Sequence, residues 1–248
     1  LSDEVMSQLH NYVATIASLY RDNPFHNFEH ASHVTMSVVK LLSRIIAPSH
    51  IHIENVATLD DKETIHLAEK LHDHTYGITS DPLTQFAVVF SALIHDVDHT
   101  GVPNSTLINE NAAVAAVYNS KSVAEQNSVD IAWGILMDSD YDELRASIYS
   151  NETYLDHFRQ LVVNSVMATD IMDKEANSIR CAKWDKAFKD ADETDSSITE
   201  LDATNRKATI VIEHLLQASD VSHTMQHWQV YIEWNEKLFH ELYRTYKE

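Results

Sequence analysis

Three small groups of imidazole and carboxylate side chains are the residues here whose types and spacing could do chemistry. The first is His26-Asn27-Phe28-Glu29-His30-Ala31, the second His95-Asp96-Val97-Asp98-His99, and the third Asp220 at the end of the apolar stretch 210–218. The chain has 16 histidines, and a histidine alone is more often a surface or hydrogen-bonded residue than a ligand, so grouping decides. If helical, positions 26 and 30 project from one face, as do 95 and 99, with Asp96 turned about 100° away. A carboxylate following a run that must be buried, as Asp220 does, needs a partner.

Imidazole with carboxylate suits Zn²⁺ and similar ions, whereas carboxylate oxygens with water suit Mg²⁺ or Mn²⁺. Ligands from three separated helices could enclose one ion, with Asp96 bridging to a second. Two such ions about 3.5–4 Å apart hold a hydroxide between them and clamp a phosphoryl group for in-line attack. No serine or cysteine nucleophile is then required. The leaving oxygen needs a proton, and His26, one turn before His30, has a pKa in the useful range.

A second motif points elsewhere. Glu63-x-x-His66 and Glu69-x-x-His72 are Glu-x-x-His pairs, the signature of di-iron carboxylate bundles, where the two pairs sit on different helices and face inward. Here they lie six residues apart on what reads as one helix, about 600° and hence two-thirds of a turn out of phase. They cannot face a common site and are read as surface residues.

The elements that position these groups are helical. Three Gly and four Pro in 248 residues leave too few tight turns for a strand-rich fold. Apolar residues recur at helical spacing: Leu155, Phe158, Leu161, Val162 and Val166; Ile212, Leu215 and Leu216; and Tyr231, Trp234, Leu238 and Leu242 on a long C-terminal helix. Asp60-x-x-Glu63 and Asp140-x-x-Glu143 read as helix starts. Residues 189–207 are polar, acidic and aperiodic, which fits a solvated surface loop or a mobile loop bordering the site.

Composition bounds the function. The net charge is −20 with no basic stripe, which argues against a nucleic-acid partner. An anionic substrate would need divalent ions to reset the local potential. Cys181 is the single cysteine, so no intrachain disulfide is possible and a reducing, cytoplasmic setting is expected. The apolar run near 86–94 is too short to span a bilayer, so no direct membrane insertion is expected.

His26-Asn27-x-x-His30-Ala31, followed by His95-Asp96-x-Asp98-His99-x-Gly101-x-x-Asn104, resembles the hallmark motifs of class I cyclic-nucleotide phosphodiesterases. Leu107-Ile108-Asn109, Tyr118-Asn119, Ser122-Val123-x-Glu125, Ala168-Thr169-Asp170, Ala218-Ser219-Asp220 and the segment Trp228 to Asn235 continue the match in order. The resemblance implies an all-α, compact multi-helix bundle of the HD/phosphodiesterase type with a binuclear metal pocket. It implies hydrolysis of cAMP or cGMP to the 5′-monophosphate by a metal-bridging hydroxide. On it, His30, His95, Asp96 and Asp220 hold a tight Zn²⁺, Asp96 bridges to Mg²⁺ or Mn²⁺, and His26 is the general acid. His99, Asn104, Glu125, Thr169 and Asp170 become supports around the metals, and Asn27, Ile171 and His223 candidates for the substrate pocket. The loop at 189–207 corresponds to a mobile loop over the pocket.

The departures are Asn127 and Ser128, where the family often has a His pair, and His223, where many members carry Asn. Residues 1–248 read as a single, partial catalytic domain whose purine-binding helices are not in the chain, with regulatory domains expected in the parent protein. Two alternatives stay open on the residues alone. One is a different His-Asp phosphohydrolase acting on nucleotides or cyclic dinucleotides; the other is an idle helical module.

Overall fold

The computed structural model describes residues 1–46, 61–188 and 200–247. Among them every regular element is helical, and no strand occurs. In chain order the α-helices are α1 (Asp3–Leu19), α2 (Phe28–Ile46), α3 (Asp61–His74), α4 (Pro82–Ile94), α5 (Asn104–Asn109) and α6 (Ala113–Val117). They continue with α7 (Val123–Leu136), α8 (Asp142–Ile148), α9 (Glu152–Met167), α10 (Lys174–Phe188), α11 (Glu200–Asp220) and α12 (Trp228–Lys247). The all-α expectation holds.

The centre of the bundle is α4. Its start is fixed by the Asp81 side chain, which accepts from the Leu83 N–H, and by Pro82 in the first turn. Its middle is apolar nearly all round, with Ala87, Val88, Phe90, Ala92 and Ile94 buried, as a helix covered on several sides must be. It packs against α2 and α9 and touches α7 and α11. The stripe expected on α9 faces this core: Phe158 is fully buried, with its ring 5.4 Å from Phe90 and 5.9 Å from Phe86. Ile212, Leu215 and Leu216 are likewise buried on α11, which lies against α2.

Several local expectations are corrected. Residues 200–207, read as loop, form the first two turns of α11; residues 189–199 lie outside the described residues. Asp140 does not cap a helix. Asp138 does so instead, accepting the Asp140 N–H at the head of a short 3-10 turn that leads into α8. Asp60 lies outside the described residues. His66, Glu69 and His72 are exposed on α3, as the phase argument required. Of the expected α12 stripe, Trp234 is buried, whereas Leu242 is 47% exposed.

Two turns matter most for the site. The chain leaves α4 at His95, and Asp98 takes a left-handed backbone with φ 61°. Gly101 follows at φ 78°, and a Cβ there would sit 2.8 Å from Asn23 Oδ1. Only glycine accommodates both the dihedral and that approach.

Candidate active site

His30, His95 and Asp220 converge from α2, the end of α4 and the end of α11, with one ligand atom of each within 4.8 Å of the others. His30 Nε2 is 2.9 Å from Asp220 Oδ1, and His95 Nε2 is 3.1 Å from Asp96 Oδ2. Asp96 Oδ2 also lies 3.7 Å from His30 Nε2. Asp96, expected to turn away from His95, thus faces the same cluster from just past the end of α4.

The donor set fits a divalent ion. His95 Nδ1 sits 2.9 Å from the Ala92 carbonyl, which fixes its proton there and turns the Nε2 lone pair inward, the usual preparation of a metal-binding imidazole. His95 Nε2 and Asp96 Oδ2 are fully enclosed without a hydrogen-bond partner, a costly state unless something else binds them. Burial would push the Asp96 carboxyl up, yet His95 and His26 hold it well below the usual carboxylate range. Burial opposes protonation of His95 as well, but Asp96 and Asp220 raise it well above the ordinary imidazole value.

His26 is not on the helix that carries His30; it sits in the turn before α2. Its place is set by two residues that sequence reasoning missed. Asn23 Nδ2 donates to the carbonyls of both His26 (2.9 Å) and His99 (2.7 Å), tying the two histidine turns together. Glu241, on α12 and only 3% exposed, accepts the Phe25 and His26 N–H groups through Oε2 at 2.9 and 3.0 Å. Its Oε1 forms a short hydrogen bond with His26 Nδ1. Burial works against a charged His26, but Asp96 and the bonded Glu241 outweigh it and raise its pKa above 6.5.

His99 stacks on His26 with ring centroids 4.0 Å apart. The Gly101 N–H donates to His99 Nδ1 at 3.1 Å, so the His99 proton resides on Nε2. Burial, then the adjacent His26, pulls its pKa down to about 4. His26, His99 and Glu241 also lie within metal-ligand distance of one another, but a His99 with one nitrogen accepting and the other protonated offers no lone pair. This trio is a proton-holding pair backed by a neutral ring.

The remaining expected supports fall into a separate polar network. Asn104, at the start of α5, donates through Nδ2 to Glu125 Oε2 (2.9 Å) and Asp170 Oδ2 (3.3 Å), and its Oδ1 accepts from Ala124 N (2.9 Å). Ser122, held at φ 37°, donates to Asp170 Oδ2 at 2.8 Å. Burial, then the charge of Asp170, pushes Glu125 up to about 7. Thr169 is buried and its hydroxyl donates to the Val166 carbonyl.

Of the substrate-pocket candidates, His223 shares with His30, Asp220, Gln226, Val230 and Trp234 the lining of a groove of about 260 Å³. Ile171 is 47% exposed. Asn27 spends its amide on the backbone, accepting from His30 N and donating to the Asn23 and Pro24 carbonyls. At the departures, Asn127 Nδ2 reaches Asp98 Oδ2 at 3.4 Å and Ser128 donates to the Val97 carbonyl, so both brace the His95–His99 turn.

The sequence is 29% identical to a Caenorhabditis elegans protein named "Probable 3',5'-cyclic-AMP phosphodiesterase pde-4", over 96% of this chain and 30% of that protein. It is 25% identical to the cGMP-specific 3',5'-cGMP phosphodiesterase 3 of Dictyostelium discoideum, over 87% of this chain and 43% of the relative. A human dual specificity calcium/calmodulin-dependent phosphodiesterase, 1C, is 29% identical over 90% of this chain and 25% of its own length. The chain thus spans less than half the length of each. The fold matches the crystal structure of the phosphodiesterase domain of a rhodopsin–phosphodiesterase fusion from Salpingoeca rosetta, with a TM-score of 0.69 at 21% identity, covering all of this chain and 64% of that one. Residues 25–248 match the model of one family, a range that takes in both histidine turns, Asp220 and all of α12: the chain belongs to the 3'5'-cyclic nucleotide phosphodiesterase family.

Proposed function

We propose that this protein hydrolyses the 3′,5′-cyclic phosphodiester of cAMP, cGMP or both to the 5′-nucleoside monophosphate. The observation that carries the reading is the adjacency of two devices. One is the buried cluster of His30, His95, Asp96 and Asp220; the other is the His26–Glu241 pair, whose His26 ring centroid lies 6.0 Å from that of His30.

His30, His95, Asp96 and Asp220 would hold a Zn²⁺ ion, with Asp96 shared with a second ion, Mg²⁺ or Mn²⁺. Bound divalent ions supply an activated water and neutralise phosphate charge. The protein's own part is the proton. As water oxygen bonds to phosphorus and the P–O3′ bond breaks, O3′ must gain a proton, and His26 gives it from Nε2 because Nδ1 is engaged by Glu241. His99, neutral and stacked on His26, does not compete for that proton. Glu125, Asp170, Asn104 and Thr169 support the groups around the ions, and His223 contacts the nucleotide in the groove.

The relatives are named for cAMP, for cGMP and for both, so both substrates belong in the test. Regulatory domains in the parent protein and a cytoplasmic setting complete the proposal. No helix among the described residues is long and apolar enough to cross a membrane. Metal-loaded protein is incubated with each cyclic nucleotide separately; turnover of at least one is expected, and its loss in His26→Ala and in Asp220→Ala. If both nucleotides remain intact with wild-type protein, the proposal fails.

A further inference from the structure

Helix α10 follows directly on the Thr169-Asp170 turn, yet none of its own side chains is buried. What holds it is a few directed contacts. Trp184 meets His214 of α11 with ring centroids 4.5 Å apart, and Asn177 donates to the Ile171 carbonyl. Arg180 reaches back across the turn. Its Nη2 donates to the Asp170 carbonyl at 3.0 Å and its Nη1 to the Met167 carbonyl at 3.4 Å.

The C-terminal end of α9, at Met167, presents carbonyls with no partner within the helix, and a cation there is favoured by the helix dipole. A guanidinium does more than a point charge could. Its planar fork grips two carbonyls three residues apart and so fixes the path of the turn between them.

That turn carries a side chain loaded from both sides. Asp170 is 7% exposed. Its Oδ1 accepts the Asp173 N–H, and its Oδ2 accepts from Ser122 and Asn104. Asn104 bonds Glu125 through the same nitrogen, so the carboxyl groups of buried Asp170 and half-buried Glu125 meet at one amide. The Asp170 carboxylate keeps these contacts only while its backbone stays in place, and the Asp170 carbonyl is held by Arg180.

We propose that Arg180 is a positioning residue for the phosphodiesterase reaction, acting through the Asp170 backbone to keep that carboxylate at Asn104 and Ser122. The inference rests on the proposed function above. The network reaches the cluster through Glu125, whose carboxyl feels the charge of Asp96; groups that support metal ligands from outside typically alter metal affinity or activity 10–100-fold, and the effect of Arg180 belongs at the lower end, since it acts through Asp170.

The test measures kcat, KM and Mn²⁺ affinity by electron paramagnetic resonance, together with Tm. Arg180→Ala is made in the wild-type and in the Asp170→Asn backgrounds. Arg180→Ala is expected to lower kcat about tenfold and weaken Mn²⁺ binding about tenfold, with KM for the nucleotide unchanged. In the Asp170→Asn background the same substitution should cost less than about twofold, because a residue acting through another loses its effect when that one is gone. Equal losses in both backgrounds, or an unchanged kcat, overturn the proposal. If Arg180→Ala does not fold, Arg180→Lys carries the same comparison: it keeps the charge but not the fork, and an intermediate loss is expected. Wild-type protein that hydrolyses neither nucleotide refutes the phosphodiesterase reading, while the Mn²⁺ comparison still judges Arg180.

Discussion

Replacing Glu241 with Gln tests the acid most directly. In the native arrangement one buried carboxylate does three things: it accepts two backbone N–H groups through Oε2 and bonds His26 Nδ1 through Oε1. Gln has a single acceptor oxygen. If that oxygen stays with the backbone, its NH₂ faces Nδ1, which must then give up its proton; if it serves Nδ1, an N–H faces the backbone donors. Either way the imidazolium is disfavoured. A hydrogen bond to a charged group contributes about 1.5–3 kcal/mol, and at about 1.4 kcal/mol per pKa unit the loss lowers the His26 pKa by roughly one to two units.

The sign follows from the direction of the shift. His26 is raised above 6.5 and Glu241 is held below 4.5. The pair therefore stabilises the fold fully between those ordinary values, losing its contribution as pH rises through the His26 pKa or falls through that of Glu241. Catalysis by an acid declines on the same alkaline limb. Initial rates of metal-loaded Glu241→Gln from pH 5.5 to 9.5 should show that limb displaced about one to two units toward acid, with kcat reduced about 10–100-fold on the alkaline side of the wild-type limb and the loss shrinking on its acid side. A limb that stays where it is in the wild type, or a loss equal at every pH, would refute the role assigned to the pair.

Two further outcomes are expected. Adding Zn²⁺ at about 100 times its Kd to metal-free protein should stabilise it by about 2.7 kcal/mol. At about 2–4 °C per kcal/mol for a chain of this size, calorimetry should record a Tm rise of roughly 5–10 °C, abolished in Asp220→Ala. Glu125, raised to about 7, binds its proton more tightly folded than unfolded, so its ionisation destabilises metal-free protein as pH climbs past the unfolded value. Metal-free Glu125→Gln should therefore gain more urea resistance over wild type at pH 8 than at pH 5; a difference in midpoint that is the same at both pH values would contradict the raised pKa of that carboxyl.

The sequence yielded the parts that depend on short-range pattern. The stripe ending in Val166 and the one ending in Leu216 face the core because 3.6-residue periodicity and burial are the same fact seen twice. The set of His30, His95, Asp96 and Asp220 came from the resemblance of their motifs; spacing alone offered three separate imidazole and carboxylate groups, from which the fold brings His30, His95 and Asp220 together. What failed was the assumption that helical geometry continues through the motifs. His26 lies ahead of α2, and the chain reverses at Asp98, so His26 meets His99 by stacking rather than meeting His30 along one face. The partners Asn23 and Glu241 were invisible for another reason: a single polar residue contributes no periodicity, and Glu241 pairs with a residue 215 positions away. One signal was present. Trp234 and Glu241 are seven residues apart, two helical turns, so a carboxylate sits on the same stripe as a tryptophan that has to be buried.

The net charge of −20 and an anionic substrate are reconciled by where the polar groups are left unpaired. Protein-wide charge is spread over exposed carboxylates and screened by salt within about 8–10 Å, whereas the cluster at His95 and Asp96 lies out of solvent, with two atoms that make no hydrogen bond and only ion-pair contacts within the cluster. Such atoms cost stability for as long as they lack a partner. A fold that encloses them is therefore less stable than its core would allow until a cation arrives, and the free energy released then is available both to hold the fold and to set a positive potential where phosphate must sit. The same enclosed atoms would thus let an acidic protein take the proposed anionic substrate, and they underlie the expected dependence of its stability on metal.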